Sequence, residues 1–205
     1  MTQYLFSRRP NALCGTLVVL LVGVVASPAL AATPPVDTSA CSTPQLSQPF
    51  LSVHDGNWYT LAPGQTGQSF DGTGWVLSGG ARILTTKLAD GTSGSVLDLP
   101  SGSKAVSPTI CVTSSYPIAR TMVRNVVGAE GVFFYVSYAG TNTWTDPRNT
   151  GQVHGSNTAW TISDPVNIQP SNLSAWQPAR FTFIPGGHTS DFQIYDFYVD
   201  PRMKG

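Results

Sequence analysis

Few side chains in this sequence are arranged for catalysis. A glycosidase needs two facing carboxylates, but Glu130 is the only glutamate among 11 acidic residues, and many of the aspartates lie in turn sequences. Asp98, in a strand-like run, is the least turn-like of them. No Gly-x-Ser-x-Gly or His-Glu-x-x-His motif occurs, and His54, His154 and His188 are isolated along the chain. We therefore assign no catalytic residue.

Aromatic and basic residues suit a different chemistry, the binding of sugars. Trp144 lies in a polar loop that follows a long strand-like run bearing Tyr135. An indole stacks on the apolar C–H face of a sugar ring. Arg120 and Arg124 share one face of the preceding run, where they alternate with small residues. We predict that these four residues form a ligand-binding surface; the alternative is an ordinary solvated sheet face.

The charge balance excludes partners that are held by bulk electrostatics. Eleven basic residues balance eleven acidic ones, and removal of a signal peptide would take away two of the basic residues, Arg8 and Arg9. A slightly acidic mature chain argues against nucleic acid or an anionic membrane as a partner. We expect a monomer that binds carbohydrate or an extracellular protein.

The N-terminus has the pattern of a secretory signal. Arg8 and Arg9 precede an apolar run at 17–25, and the small residues at 29–31 form a cleavage site. The apolar run is too short to span a membrane. We therefore expect residues 1–31 to be removed on export and the mature protein to be extracellular.

The mature chain divides into three predicted parts. Residues 32–56, which begin with prolines, are predicted to be a flexible leader, residues 57–201 a single β domain, and residues 202–205 a short tail. Cys41 and Cys111 remain after cleavage, and two cysteines in an exported chain usually pair. We predict a disulfide; the alternative is two separate buried thiols.

The pattern of apolar residues is that of strands throughout the mature chain. Short runs of period two are separated by turn clusters, which is typical of a sandwich or barrel. The two longest runs, 118–127 and 132–139, are joined by a glycine-flanked segment that predicts a hairpin. Near the C-terminus, the apolar residues change parity between Ile194 and Phe197, which requires an extra residue, a β-bulge, near Tyr195 or Asp196.

Several segments resemble the secreted galactose-binding-like β-jelly rolls, the fold of many carbohydrate-binding modules. The resemblance covers about residues 57–201. It is carried by the Phe70–Trp75 segment with Gly79-Gly80-Ala81 after it, by Ala175–Phe183, which enters a strand through a tryptophan, and by Ile194–Val199, similar to the family's final strand. It implies an all-β, antiparallel two-sheet jelly-roll sandwich. It also places Trp75 and Trp176 in the core or at its rim.

The resemblance also implies a structural calcium ion and a function. Asp71 and Asp196 stand where many relatives have side-chain calcium ligands, although Tyr195 replaces the first of a usual pair of aspartates. The alternative is that Asp196 caps a bulge through backbone N–H groups. No other cofactor is expected. The implied function is non-catalytic carbohydrate binding. The alternatives are an extracellular structural or adhesion module and a small polysaccharide-active enzyme.

Overall fold

The computed structural model describes most of the predicted mature chain, within one compact unit, Pro34–Gly205. The described residues are 36–39, 41, 43–67, 69–113, 117–168 and 176–201. The predicted signal peptide, 1–31, and tail, 202–205, lie outside them. In the described part the chain forms fifteen strands and one 3-10 helix, Leu51–Val53. None of its helices there is long and apolar enough to cross a membrane.

The strands are numbered in chain order. They are β1 Thr60–Leu61, β2 Gln65–Thr66, β3 Ser69–Phe70, β4 Val76–Ser78, β5 Arg82–Lys87, β6 Ser93–Pro100, β7 Lys104–Val106, β8 Ile110–Val112, β9 Ile118–Val127, β10 Val132–Tyr138, β11 Arg148–Val153, β12 Thr161–Ile162, β13 Val166–Asn167, β14 Gln177–Pro185 and β15 Asp191–Val199.

These strands form two sheets that enclose one core. The nine-stranded sheet has the order β12-β9-β15-β6-β3-β2, with β1 beside β15, β5 beside β6 and β13 beside β9. The six-stranded sheet has the order β11-β10-β14-β7-β4, with β8 beside β14. Every pairing is antiparallel except the one between β3 and β6. The predicted all-β, antiparallel two-sheet jelly-roll sandwich is confirmed.

Aromatic side chains fill the space between the sheets. Phe197 of β15 projects from the nine-stranded sheet, and its ring centroid lies 5.0 Å from Phe183 and 5.4 Å from Phe181 of the opposite sheet. Trp75 packs beside Phe70 at 4.8 Å and is only 8% exposed. The predicted core position of Trp75 is therefore confirmed. Edge-to-face contacts of this kind add to the stabilisation from burial.

The predicted hairpin between β9 and β10 is wrong. β9 pairs with β15 in the nine-stranded sheet, whereas β10 pairs with β14 in the six-stranded sheet. Both strands bury one face against the same core, so they approach it from opposite sides. The connection at 128–131 carries the chain across the sandwich, and Gly128 adopts a left-handed φ of 91° there.

The predicted bulge in the terminal strand is confirmed. The register of β15 against β9 shifts between Tyr195 and Tyr198, and Asp196 has a left-handed φ of 54°. The extra residue rotates the strand so that Phe192 and Ile194 before it and Phe197 after it all face the core.

Part of the segment predicted as a leader packs on the domain. Phe50 is 3% exposed, and its ring contacts Tyr59 at 5.0 Å and Tyr198 at 5.6 Å. Cys41 and Cys111 form a disulfide with a Cα–Cα distance of 5.5 Å, which confirms the predicted pairing and ties this segment to β8.

Candidate binding cleft

The outer face of the six-stranded sheet carries one of the predicted binding residues, Tyr135. Strand β10 buries Val132, Phe134 and Val136, while Phe133 and Tyr135 lie partly exposed on the other face. This alternation follows directly from the pleat of a strand.

A series of paired residues extends from Tyr135 across the six-stranded sheet. Tyr135 pairs with Thr182 of β14, Thr182 pairs with Val106 of β7, and Val106 pairs with Val76 of β4. Paired residues project to the same side of a sheet. Aromatic, hydroxyl and apolar side chains therefore follow one another across the six-stranded sheet.

Trp144 borders this face because its loop folds back on β10. The loop is held by a backbone bridge between Ala139 and Trp144, and by hydrogen bonds from the Thr145 N–H to the Tyr138 carbonyl and from the Tyr138 N–H to the Thr145 hydroxyl, both 2.9 Å. Gly140 approaches the Thr143 carbonyl so closely that a Cβ atom there would lie 2.8 Å from its oxygen. These contacts fix the position of the indole.

Together these residues enclose an open cavity of about 520 Å³, which we call the sheet cleft. A second hollow of about 320 Å³ adjoins it and shares Val106 and Arg180. The sheet cleft is lined by Lys104, Val106, Tyr135, Ser137, Trp144, Pro147, Arg180, Thr182 and Ile184. Its mixture of aromatic, apolar and hydroxyl groups is typical of a site for a small organic ligand.

Arg180 is the basic residue of the sheet cleft that contacts Trp144. Its guanidinium carbon lies 4.2 Å from the centroid of the Trp144 ring, a cation–π contact. Its Nε–H donates to the Thr109 hydroxyl at 3.3 Å. Arg180 therefore covers one side of the indole while it remains exposed to solvent itself.

Arg120 and Arg124, predicted to join Trp144 and Tyr135, lie elsewhere. Both project from β9 of the nine-stranded sheet, and neither lines the sheet cleft. The expectation that they flank Tyr135 assumed the hairpin that the fold does not form. The structure thus brings together two of the four predicted residues, Trp144 and Tyr135.

Arg120 and Asp55 form a partly buried ion pair. Arg120 Nη1 lies 2.9 Å from Asp55 Oδ2, and its Nε–H donates to the Ser163 carbonyl. Burial opposes ionisation of Asp55. Hydrogen bonds from Tyr59, Asn57 and Arg120 outweigh that effect and hold the pKa of Asp55 below its usual value.

Arg124 belongs to a polar row across the nine-stranded sheet. It donates to the Gln193 side-chain oxygen at 2.9 and 2.6 Å, and Gln193 donates to the fully buried Asp98 at 2.8 Å. Arg82 closes the row with an ion pair to Asp98 at 2.7 Å. Asp98, the least turn-like carboxylate in the sequence, is thus held in a structural network.

Asp196, the residue with left-handed φ in the bulge, has a carboxylate oxygen without a hydrogen-bond partner among the described residues. Its Oδ1 atom is buried and accepts no hydrogen bond from any described residue. Burial raises the pKa of Asp196 to about 7, since the charged form loses hydration without gaining a partner. The alternative role as a cap for backbone N–H groups is not seen for this oxygen. A cation would satisfy the unpartnered atom.

Asp71 differs from Asp196 in its surroundings. Its Oδ1 accepts the Thr73 N–H at 2.7 Å, and this bond lowers the pKa of the exposed carboxyl. Both aspartates lie close in sequence to a contact with the segment Gly64-Gln65. The Asp71 N–H donates to the Gly64 carbonyl, and Gln65 accepts from the N–H of Phe197, next to Asp196.

Metal-binding side chains do not cluster within the described part of the chain. No group of three or more histidine, cysteine, aspartate or glutamate residues there could hold an ion. A cation at Asp196 would therefore have to draw most of its ligands from backbone carbonyls and water, which calcium accepts.

Sequence reasoning missed Lys104 and Arg180. Arg180 alternates with Phe181 and Phe183 in a recognisable strand, so its outward direction could have been read from the sequence. Its position beside Trp144, and that of Lys104 on a strand two places away from β10, depend on the order of strands in the sheet.

Comparison with known proteins yields structural neighbours only. No family model and no curated protein matches the sequence. The chain is similar to the CBM22-1 xylan-binding domain of Paenibacillus barcinonensis Xyn10C, with 12% identity over 64% of this chain and 88% of that one, at a TM-score of 0.42. It is similar to the C-terminal family 22 carbohydrate-binding module of Clostridium thermocellum Xyn10B, with 15% identity over 70% and 92%, at 0.43. TmCBM61, solved with β-1,4-galactotriose, has 11% identity over 63% and 92%, at 0.37.

Proposed function

We propose that this chain is a secreted, non-catalytic domain that binds a carbohydrate chain in the sheet cleft. The observation that carries the proposal is the placement of Trp144 and Tyr135 around one open cavity of about 520 Å³. Two aromatic rings offer apolar faces to sugar C–H groups. Ser137 and Thr182 also line the cleft, and their hydroxyl groups would form hydrogen bonds to the ligand.

The shape of the site fits a linear ligand better than a single small molecule. The cleft is open and adjoins the hollow beside Val106 and Arg180. The lining of the cleft comes from β10, β14 and β7, so an extended ligand would contact all three strands. The energy of such a complex would come from a few anchoring side chains, with the surrounding contacts adding complementarity.

A screen of the mature domain against soluble polysaccharides and a glycan array tests this proposal. Trp144→Ala should weaken binding by about 1–3 kcal/mol, the loss of a stacked anchor, and leave the melting temperature nearly unchanged. Trp58→Ala is the matched control, because Trp58 is exposed and lies outside the cleft. Equal losses of affinity in the two variants would refute the assignment of the site. Release of reducing sugar in the same tubes would favour the enzyme alternative.

We further propose that a calcium ion supports the fold at Asp196, with Asp71 as the second side-chain ligand. The buried, unpartnered Oδ1 of Asp196 supports this proposal. Calcium would supply a charge partner for that oxygen and hold the bulge against the segment at Gly64 and Gln65. The exposed Asp71 would supply a second carboxylate, one oxygen of which already accepts the Thr73 N–H.

A further inference from the structure

Among the residues that the structure describes, two basic side chains and no acidic one line the sheet cleft. Lys104 and Arg180 are among its nine lining residues. Neither takes part in an ion pair with any residue that the structure describes. Cations that share a concave surface without counter-charges attract an anionic ligand.

Two contacts within the protein orient Arg180. Its guanidinium carbon lies 4.2 Å from the centroid of the Trp144 ring, and the Thr109 hydroxyl accepts its Nε–H. In the described part of the chain, that is the one hydrogen bond Arg180 donates from its side chain, so both Nη groups are available. A planar guanidinium so fixed matches a carboxylate with two parallel hydrogen bonds, and little freedom is lost when they form.

The backbone positions of Lys104 and Arg180 are separated along the strands. Thr182 pairs with Val106, and Phe183 pairs with Ala105. The same antiparallel register, continued by one residue, places Lys104 opposite Ile184. Ile184 lies four residues beyond Arg180 on β14, which is about 13 Å at about 3.3 Å per residue. The row of Tyr135 and Thr182 lies between them. The spacing suits a chain that carries more than one anionic group.

We propose that the sheet cleft selects an anionic oligosaccharide of the uronate class. Its carboxylates would pair with Arg180 and Lys104, while Tyr135 contacts a ring between them. This inference rests on the proposed function, because it names the chemical class of the sugar at the same site. The chain as a whole does not attract anions, since 11 basic residues balance 11 acidic ones. Selection for charge would therefore be local to the cleft.

The test uses oligomers of galacturonate, mannuronate and guluronate, each beside its neutral methyl ester. Calorimetric titration of the mature domain should show at least one acid form binding well above its ester. Raising the ionic strength should weaken that binding. Arg180→Gln and Lys104→Gln should each weaken it roughly tenfold, as expected for a lost charged hydrogen bond. Both variants should weaken binding of the acid more than binding of the ester, and Arg180→Lys should restore part of the affinity for the acid.

Lys87→Gln is the matched control, because it removes one exposed positive charge from β5 of the other sheet. Its affinity should equal that of the unmodified domain. An equal loss in Lys87→Gln would overturn the inference, because the attraction would then be bulk charge. Esters that bind as well as acids would also overturn it and leave sugar binding intact. Absence of binding to any acidic or neutral glycan would defeat both the inference and the proposed function.

Discussion

Replacement of Asp196 by asparagine should make the domain more stable at neutral and alkaline pH. The asparagine would keep the left-handed backbone of the bulge, since this residue type tolerates positive φ better than most others. The change would also remove a charge whose oxygen is buried without a partner. The variant therefore changes the protonation chemistry of the site and little else.

The size of the effect follows from the raised pKa. A pKa moved from 3.8 to about 7 by burial corresponds to at most about 4 kcal/mol. Solvent reaches part of the side chain and screens its charge, so we expect about 1–2 kcal/mol. The folded state binds the proton more tightly than the unfolded state. The stabilisation is thus complete below about pH 4 and is lost as the pH rises toward 7.

The assay is denaturation by urea between pH 3.5 and 8.5 in the presence of a chelator. The difference in unfolding free energy between Asp196→Asn and the parent should be near zero at the acid end and reach about 1–2 kcal/mol in favour of the variant above pH 7. Taking this difference cancels the other titrating groups, including Asp55, whose lowered pKa acts with the opposite sign.

Asp71→Asn is the control, because its carboxyl is exposed and its pKa is lowered. That variant should keep the pH dependence caused by Asp196. A difference between Asp196→Asn and the parent that is constant across the pH range would refute the assignment of a raised pKa. So would a variant that is less stable than the parent at pH 8.

Three further predictions concern calcium, the disulfide and the polar row. Calcium at a hundredfold excess over its Kd should stabilise the domain by about 2.7 kcal/mol. Asp196→Asn should abolish the resulting shift in Tm. An unchanged Tm in the parent would refute the calcium site at Asp196. Reduction of the Cys41–Cys111 bond, which spans 70 residues, should cost about 4 kcal/mol on the chain-entropy model; two alkylatable thiols in the native exported protein would contradict the bond. Gln193→Ala should destabilise the domain by about 1–3 kcal/mol because it removes a hydrogen-bond donor from buried Asp98. The control Gln152→Ala on β11 should cost under about 0.5 kcal/mol. Equal urea midpoints for the two variants would refute the structural role of Gln193.

Local features of this fold could be predicted from sequence because the pleat of a strand is local. The change of apolar parity before Phe197 required an extra residue, and the bulge lies there. The grouping of Arg120 and Arg124 on one face of β9, opposite small residues, followed from the same alternation. The pairing of Cys41 with Cys111 followed from their number and from the predicted export signal, without any knowledge of geometry.

The neighbours of each strand could not be predicted in this way. Parity states which residues share a face, but it does not state which sheet the strand joins. The segment between β9 and β10 has the composition of a hairpin turn and instead crosses the sandwich. That single difference removes Arg120 and Arg124 from the side of Tyr135 and gives them Asp55 and Gln193 as partners.

The sequence by itself therefore determined the class of fold, the inward residues, the bulge and two of the aromatic candidates, Trp144 and Tyr135. Only the tertiary structure decided which charges accompany them. Lys104 and Arg180 reach the same cleft because β7 lies next to β14, and β14 next to β10. Such contacts join residues that are distant in the chain, and they are fixed by the order in which strands pair within a sheet.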